Sequence, residues 1–284
     1  MTKRMVSIAT DITSRLTLND GVCMPMFGLG MYEASSGSGG VAEKAVEYAL
    51  SKGYQLIDTA EFYGNETDVG MGIKKSGLNR EDIFVVTKLW DNGFSRCKKI
   101  FNRSLKMLDL QYVDLYLIHS PSSGQVVETY KAMLELKQKG LVRSVGVSNF
   151  GVQHLEGLES AGLPTPSVNQ IELHTWQQKP EIVKYCREKG ITVMGYSPLV
   201  KGQRFDDPTL VKIANKYKKS PAQILIRWSI QHGFITIPKS GKPNRINENM
   251  EVFDWAIMDD DMAVLNSFPD NSCTWNPCKM PWTG

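Results

Sequence analysis

Residues 113–148 read VDLYLIHSPSSGQVVETYKAMLELKQKGLVRSVGVS and contain a complete strand–helix–strand pattern. The first part, Val113–His119, is a short apolar run of the kind that forms a buried strand. A helical pattern follows over Val126–Lys139 and stops at Gly140, where glycine suits a helix end. A second short run follows at Ser144–Ser148. This segment therefore predicts one β/α unit with parallel strands.

The same alternation repeats along the chain and predicts the fold class. The strand-like runs are Phe27–Met31, Leu56–Ala60, Ile83–Leu89, Val113–His119, Ser144–Ser148, Ser167–Leu173, Thr192–Ser197 and Phe234–Lys239. The helical patterns between them are Val41–Lys52, Glu66–Ser76, Ser95–Leu108, Val126–Lys139, Gln153–Ala161, Pro180–Lys189, Asp207–Tyr217 and Pro221–His232. Eight such units in 284 residues predict an α/β protein, a single (β/α)₈ or TIM barrel.

The main rival fold is an open, doubly wound sheet that binds dinucleotides. That fold needs a G-x-G-x-x-G motif after its first strand. Here Gly28-Leu29-Gly30 supplies only the first half and is followed by Met-Tyr-Glu, so the motif fails.

The two ends of the chain complete the predicted architecture. Arg15–Met24 alternates around Asn19-Asp20-Gly21, which predicts a β-hairpin that plugs the bottom of the barrel. No linker interrupts the pattern, so residues 1–284 are predicted to be one domain with a core over about 16–268. The tail, residues 269–284, has neither a helical nor a strand period. We expect it to fold over the barrel mouth; the alternative is a loose end on the outside of the barrel.

Composition excludes several classes of protein. With 42% hydrophobic and 22% charged residues, the chain is globular rather than disordered. A net charge of +3 argues against a nucleic-acid partner or a polybasic membrane surface. No run approaches the roughly 20 apolar residues of a membrane span. The five irregularly spaced cysteines predict reduced thiols and no metal site. Reduced thiols and the lack of a secretory signal favour a cytoplasmic protein. We expect the protein to be a monomer.

Polar residues stand at the ends of most predicted strands, where the chemistry of such barrels lies. They are Asp58, Lys88, His119, Ser148 with Asn149, Asn169 with Gln170, Tyr196 with Ser197, and Lys239 with Ser240. Any one of them alone has an ordinary explanation, such as a helix cap or a satisfied core group. The series as a whole predicts a functional site.

Three of these positions, together with Tyr63 from a neighbouring loop, suggest acid–base chemistry. Asp58 and Lys88 would form a buried ion pair, and Tyr63 follows Asp58 within the next loop. A nearby ammonium favours phenolate, so we expect Lys88 to lower the pKa of Tyr63 and to fit it for protonating a carbonyl oxygen. His119 lies at the same height of the barrel and could donate a hydrogen bond to that oxygen. The alternatives are a purely structural ion pair and a core histidine.

A resemblance follows from the motifs around these residues. They are Leu-Ile-Asp-Thr-Ala with Tyr-Gly-Asn-Glu, Thr-Lys-Leu-Trp, Asp-Leu-Tyr-Leu-Ile-His, Gly-Val-Ser-Asn-Phe, Asn-Gln-Ile-Glu-Leu-His, Tyr-Ser-Pro-Leu and Ile-Pro-Lys-Ser. Together they resemble the aldo-keto reductase family over about 16–268, in particular short-loop members such as those similar to prostaglandin F synthase and 2,5-diketogluconate reductase. The resemblance implies a catalytic tetrad of Asp58, Tyr63, Lys88 and His119, with Tyr63 as the proton donor.

The resemblance also implies an NADPH site. Its residues would be Gly30, Met31, Asp58, Ser148, Asn149, Gln170, Tyr196, Ser197, Leu199, Ile237, Lys239, Ser240, Arg245, Glu248 and Asn249. Tyr196 would stack on the nicotinamide ring. The residue types in the segment 239–249 are consistent with this site, because the two cations and the hydroxyl of Lys239, Ser240 and Arg245 suit a 2′-phosphate. The alternative there is an ordinary solvated basic loop.

The substrate pocket is expected between Tyr32, Tyr63, Trp90, His119 and Trp275, with Met280 and Trp282 as further candidates from the tail. Ser120 and Tyr32 stand where the family often has tryptophan, and the loops after His119 and Leu199 are short. The sequence thus predicts an NADPH-dependent enzyme that reduces small-molecule aldehydes or ketones to alcohols. The competing class is a non-catalytic barrel, either a regulatory subunit that binds NADPH or a crystallin-like structural protein.

Overall fold

The computed structural model describes residues 7–34, 36–37 and 40–284. Ten strands and ten α-helices occur in this part of the chain. The strands are β1 (Arg15–Thr17), β2 (Cys23–Pro25), β3 (Leu29–Gly30), β4 (Leu56–Asp58), β5 (Phe84–Leu89), β6 (Val113–Ile118), β7 (Val142–Ser148), β8 (Val168–Glu172), β9 (Thr192–Tyr196) and β10 (Ile235–Thr236). The helices are α1 (Val41–Ser51), α2 (Glu66–Ser76), α3 (Phe94–Leu108), α4 (Val126–Gln138), α5 (Val152–Ser160), α6 (Pro180–Glu188), α7 (Pro208–Tyr217), α8 (Pro221–Gln231), α9 (Pro243–Met250) and α10 (Asp259–Asn266).

Strands β3 to β10 form one parallel sheet in sequence order, and the sheet closes on itself. Parallel bridges join Phe27 to Thr236 and Gly30 to Lys239, so the first and last strands of the sheet meet. The predicted (β/α)₈ barrel is therefore confirmed, with each of the eight predicted runs supplying one strand.

Local signals in the sequence account for the ends of several helices. Ser220 caps α8 in a reciprocal pair: its hydroxyl accepts from the Gln223 N–H at 3.2 Å, and the Gln223 side chain accepts from the Ser220 N–H at 3.0 Å. At the other end of a helix, α4 stops before Gly140, whose φ of +73° reverses the chain.

The N-terminal hairpin closes the bottom of the barrel, as predicted. Strands β1 and β2 pair antiparallel. Leu18 and Met24 from the hairpin are buried against the interior side chains of the barrel, which include Leu56, Phe84 and Leu115. This apolar packing fills the lower part of the barrel, and the open end lies at the carboxyl ends of the strands.

Helices α9 and α10 were absent from the sequence prediction. Only Ile246 and Asn249 are buried in α9, and only Leu265 in α10. Such short and polar helices show no apolar stripe, which is the signal on which sequence reasoning depends. In the described part of the chain, no helix has both the length and the apolar character to span a membrane.

Candidate active site

The floor of the open end holds a buried ion pair. Asp58 is the last residue of β4, and Lys88 lies on the neighbouring strand β5. The Lys88 ammonium donates to Asp58 Oδ1 at 2.6 Å, to the Thr59 carbonyl at 2.9 Å and to the Tyr63 hydroxyl at 3.1 Å. Gln170 donates to the other Asp58 oxygen at 2.7 Å. The two charges are thus fully hydrogen-bonded, which a buried pair requires.

The ionisation of this pair depends on both partners. Burial raises the pKa of Asp58 and lowers the pKa of Lys88, and each partner's charge opposes the other's shift. Loss of either residue would therefore leave the other with an uncompensated buried charge.

The phenol of Tyr63 corrects one expectation from the sequence. Desolvation raises the pKa of Tyr63 well above its ordinary value, and the Asp58 carboxylate adds to the rise. The expected net lowering by Lys88 is therefore not found, because desolvation is the largest influence and it raises the pKa of Tyr63. Tyr63 is consequently a protonated phenol at neutral pH, and that is the state a proton donor needs. The Lys88 ammonium contacts the oxygen that would carry the negative charge after donation.

His119 faces Tyr63 across the same floor. Their ring centroids lie 5.7 Å apart, and Trp90 packs edge-on against His119 at 5.0 Å. Burial and the Lys88 charge hold the pKa of His119 well below its ordinary value, so the imidazole is neutral. Its Nδ1 is buried and has no hydrogen-bond partner among the described residues. A neutral imidazole beside a phenol can hydrogen-bond a carbonyl oxygen.

A cavity of about 780 Å³ extends from this floor across the mouth of the barrel. Its lining includes almost every residue predicted for the cofactor: Gly30, Asp58, Ser148, Asn149, Gln170, Tyr196, Ser197, Leu199, Ile237, Lys239, Ser240, Arg245, Glu248 and Asn249. Tyr32, Tyr63, Trp90, His119 and Trp275, predicted for the substrate, line the same cavity. One continuous cavity therefore joins the two predicted sites.

Three predicted residues lie elsewhere. The Met31 side chain is fully buried in the core between the barrel and its helices, so it does not line the cavity. In the tail, the Met280 carbonyl contacts His154 on α5, and Trp282 packs on Gly157 of the same helix. Met280 and Trp282 are therefore not pocket walls.

The far end of the cavity lies where β10 leads into α9. Lys239, Ser240 and Arg245 line it there. Asn249 is 2% exposed, and its Nδ2 has no partner among the described residues. A buried amide without a partner at a cavity wall suits a polar ligand that would satisfy it.

Sequence reasoning missed several residues of the cavity wall. Phe62 is 52% exposed and stacks on Trp90 with ring centroids 4.1 Å apart. Its position next to Tyr63 was the available signal. Lys201 and Glu33 form an ion pair at 3.3 Å between two loops of the mouth. These residues are far apart in the chain, and no local pattern connects them.

Comparisons with known proteins agree with this geometry. The pattern of the Aldo/keto reductase family matches residues 27–269. Glyoxal reductase of Bacillus subtilis (strain 168) is 43% identical over 260 residues, covering 91% of this chain and 94% of that protein. The 9,11-endoperoxide prostaglandin H2 reductase of Trypanosoma cruzi (strain CL Brener) is 41% identical over 261 residues, covering 90% and 92%.

A solved structure shows the same architecture. The aldo-keto reductase of Bombyx mori, in complex with NADP, superposes with a TM-score of 0.84 at 37% identity and covers 92% of this chain and 94% of its own. From the family match over most of its length and from these relatives, we conclude that this chain belongs to the aldo/keto reductase family of oxidoreductases.

Proposed function

We propose that this protein is an NADPH-dependent reductase that converts the carbonyl group of small aldehydes or ketones into an alcohol, with Tyr63 as the proton donor. The observation that carries the proposal is the contact of the Lys88 ammonium with the Tyr63 hydroxyl at 3.1 Å, on the floor of a cavity that His119 shares.

The residues around the cavity fit the cofactor. The unpartnered Asn249 amide and the cations Lys239 and Arg245 lie at one end, and the Asp58–Lys88–Tyr63 cluster lies at the other. A relative of the same fold is known in complex with NADP. The basic end suits the 2′-phosphate that distinguishes NADPH from NADH. When bound, the nicotinamide supplies the hydride that the reaction needs.

The protein's own residues position the substrate oxygen and supply the proton. His119 holds the substrate oxygen by a hydrogen bond from its neutral ring. Tyr63 gives its proton to that oxygen as the carbonyl carbon is reduced, which completes the alcohol. The resulting phenolate lies against the Lys88 ammonium, which stabilises it more than it stabilises the phenol. Such differential stabilisation accelerates the reaction.

The complete cluster favours catalysis over the non-catalytic alternative, and Tyr63→Phe tests it. Purified protein is assayed with NADPH against glyoxals and aromatic aldehydes. We expect the variant to lose roughly 10²- to 10⁴-fold in kcat, because only the acidic proton is removed. Binding of NADPH, measured by fluorescence titration, should stay unchanged.

The matched control is Tyr185→Phe. Tyr185 hydrogen-bonds Glu159 on the outer surface, so its loss should leave kcat unchanged. Near wild-type turnover in Tyr63→Phe would contradict the assignment of the proton donor. No turnover of the wild-type protein with any carbonyl in the panel would contradict the function itself.

A further inference from the structure

The C-terminal tail is held at two separate places. The nearer part, residues 270–276, crosses the barrel mouth and brings Trp275 into the cavity wall, with its ring centroid 5.7 Å from that of Trp90. The farther part, residues 277–284, lies on α5, where Gln153 donates to the Cys278 and Met280 carbonyls at 2.9 and 3.0 Å. The position of Trp275 therefore depends on contacts of the nearer part.

One buried carboxylate makes three of those contacts. Glu172, the last residue of β8, is fully buried. Its Oε1 accepts from the Cys273 backbone N–H at 2.6 Å and from His174 Nε2 at 2.9 Å. Its Oε2 accepts from the Thr274 hydroxyl at 2.6 Å and from the Ser272 hydroxyl. Three consecutive residues of the tail thus bind one carboxylate, directly before Trp275.

These hydrogen bonds require the ionised form of Glu172. Burial raises its pKa, but the donors from His174, Ser272, Thr274 and Cys273 outweigh burial and hold the pKa below its ordinary value. An ionised carboxylate only accepts hydrogen bonds, which matches the four donors that surround it. Charge-assisted hydrogen bonds of this kind are stronger than neutral ones.

A metal ion is the rival explanation of this cluster. Ligand atoms of Glu172, His174 and Cys273 lie within 4.8 Å of one another. However, His174 Nδ1 lies 3.2 Å from the Trp176 N–H, and its Nε2 lies 2.9 Å from Glu172, so both ring nitrogens are engaged. Cys273 contacts Glu172 through its backbone N–H, at 2.6 Å from Oε1. The hydrogen bonds therefore favour anchoring of the tail.

We propose that Glu172 is a positioning residue for substrate recognition: its carboxylate anchors residues 272–274 and thereby holds Trp275 as a fixed wall of the pocket. The substrates that depend on this wall are aldehydes with a bulky apolar or aromatic group, since a small aldehyde does not reach it. This inference rests on the proposed function and assigns the same site a class of preferred substrate.

The test is Glu172→Gln, which keeps the shape of the side chain but replaces one acceptor oxygen with an amide donor. We expect KM for aromatic aldehydes to rise roughly three- to tenfold, the worth of one aromatic contact, with kcat little changed. KM for glyoxal should stay constant. Trp275→Ala should give the same pattern, and the double variant should add nothing further, because Glu172 acts through Trp275.

Gln153→Ala is the matched control. It removes two tail hydrogen bonds at the α5 end and should leave both KM values unchanged. An equal rise of KM for both classes of aldehyde in Glu172→Gln, or additive effects in the double variant, would overturn the proposal. If Glu172→Gln does not fold, Ser272→Ala serves in its place, because it removes one donor to the same carboxylate. It should raise the ratio of KM for aromatic aldehydes to KM for glyoxal. An unchanged ratio would count against the anchor.

A measurement without turnover separates this proposal from the proposed function. Hydrogen exchange of the Cys273 amide, which donates to Glu172, should be slow in the wild-type protein. It should be roughly tenfold faster in Glu172→Gln, the effect of weakening about one hydrogen bond, and faster by a smaller factor in Ser272→Ala. Exchange over residues 277–284 should not change. Equal exchange at Cys273 in all variants would refute the anchor even if the enzyme reduces aldehydes. Inactive wild-type protein with the expected exchange would refute only the reductase.

Discussion

At the scale of single residues, Tyr63 is subject to two opposing influences. Desolvation and the Asp58 carboxylate favour the phenol, whereas the Lys88 ammonium at 3.1 Å favours the phenolate. Because the first influence prevails, the proton donor is present at neutral pH. We therefore expect the rate of carbonyl reduction to stay level through neutral pH and to fall only in the alkaline range, where the phenol ionises.

Lys88→Met tests the role of the ammonium. Without it, the phenolate loses its stabilising charge, so kcat should fall strongly and the pKa of Tyr63 should rise further. The alkaline fall of the remaining activity should accordingly move to higher pH. A pH profile that keeps its wild-type position would contradict the proposed role of Lys88.

The control for this variant keeps the buried site neutral. Lys88→Met alone leaves Asp58 as an unpaired buried carboxylate, a change that typically costs about 3–5 kcal/mol of stability. Asp58→Asn combined with Lys88→Met removes both charges and should recover most of the lost stability in thermal unfolding. It should not recover kcat, because the ammonium remains absent.

The sequence placed Asp58, Lys88 and His119 near one another because they stand at strand ends, whose height in a barrel is fixed by the fold. Tyr63 lies in the loop after Asp58, and its role as proton donor came from the family resemblance and stays a prediction. The direction of the Tyr63 pKa shift was not predictable in this way. It depends on how much water the folded site excludes, and that quantity belongs to the whole cavity. Phe62 was missed for a similar reason: its stacking on Trp90 joins two different loops.

At the scale of elements, α9 forms the far end of the cavity. The strand before it was predicted from its apolar residues, but the helix was not, because Pro243–Met250 carries one buried apolar side chain. Its residues Arg245, Glu248 and Asn249 were nevertheless predicted as cofactor ligands, because the motif that contains them resembles that of the family. Their cavity position after β10 gives that prediction a spatial basis.

Arg245→Ala tests this end of the cavity. Only NADPH carries the 2′-phosphate, so the variant should weaken NADPH by roughly ten- to a hundredfold and leave NADH nearly unaffected. The comparison is made by fluorescence titration with both cofactors. Lys242→Ala, which removes an exposed cation directly before α9 and outside the cavity lining, should change neither affinity much. Equal losses of both cofactors in Arg245→Ala would show that Arg245 does not bind the phosphate.

At the scale of the whole molecule, the barrel and the tail form different parts of the cavity. The strand ends supply a polar floor, while loops and tail supply aromatic walls. Periodicity predicted the barrel because each strand and helix carries its own local pattern. The path of the tail has no such pattern: Glu172 receives its three tail partners across about a hundred residues of chain. Its course over the mouth therefore depends on contacts between distant residues, which no local sequence pattern predicts.

Truncation after Phe268 tests the contribution of the whole tail. Phe268 stacks on Trp176 with ring centroids 4.6 Å apart, so cutting behind it preserves that packing. Removal of residues 269–284 deletes the Trp275 wall, and KM should therefore rise more for bulky apolar aldehydes than for small polar ones. Circular dichroism and thermal unfolding establish that the shortened protein is folded, which matters because Glu172 loses its tail donors. A folded truncated protein whose KM values change equally for both classes of aldehyde would show that the tail has no selective role.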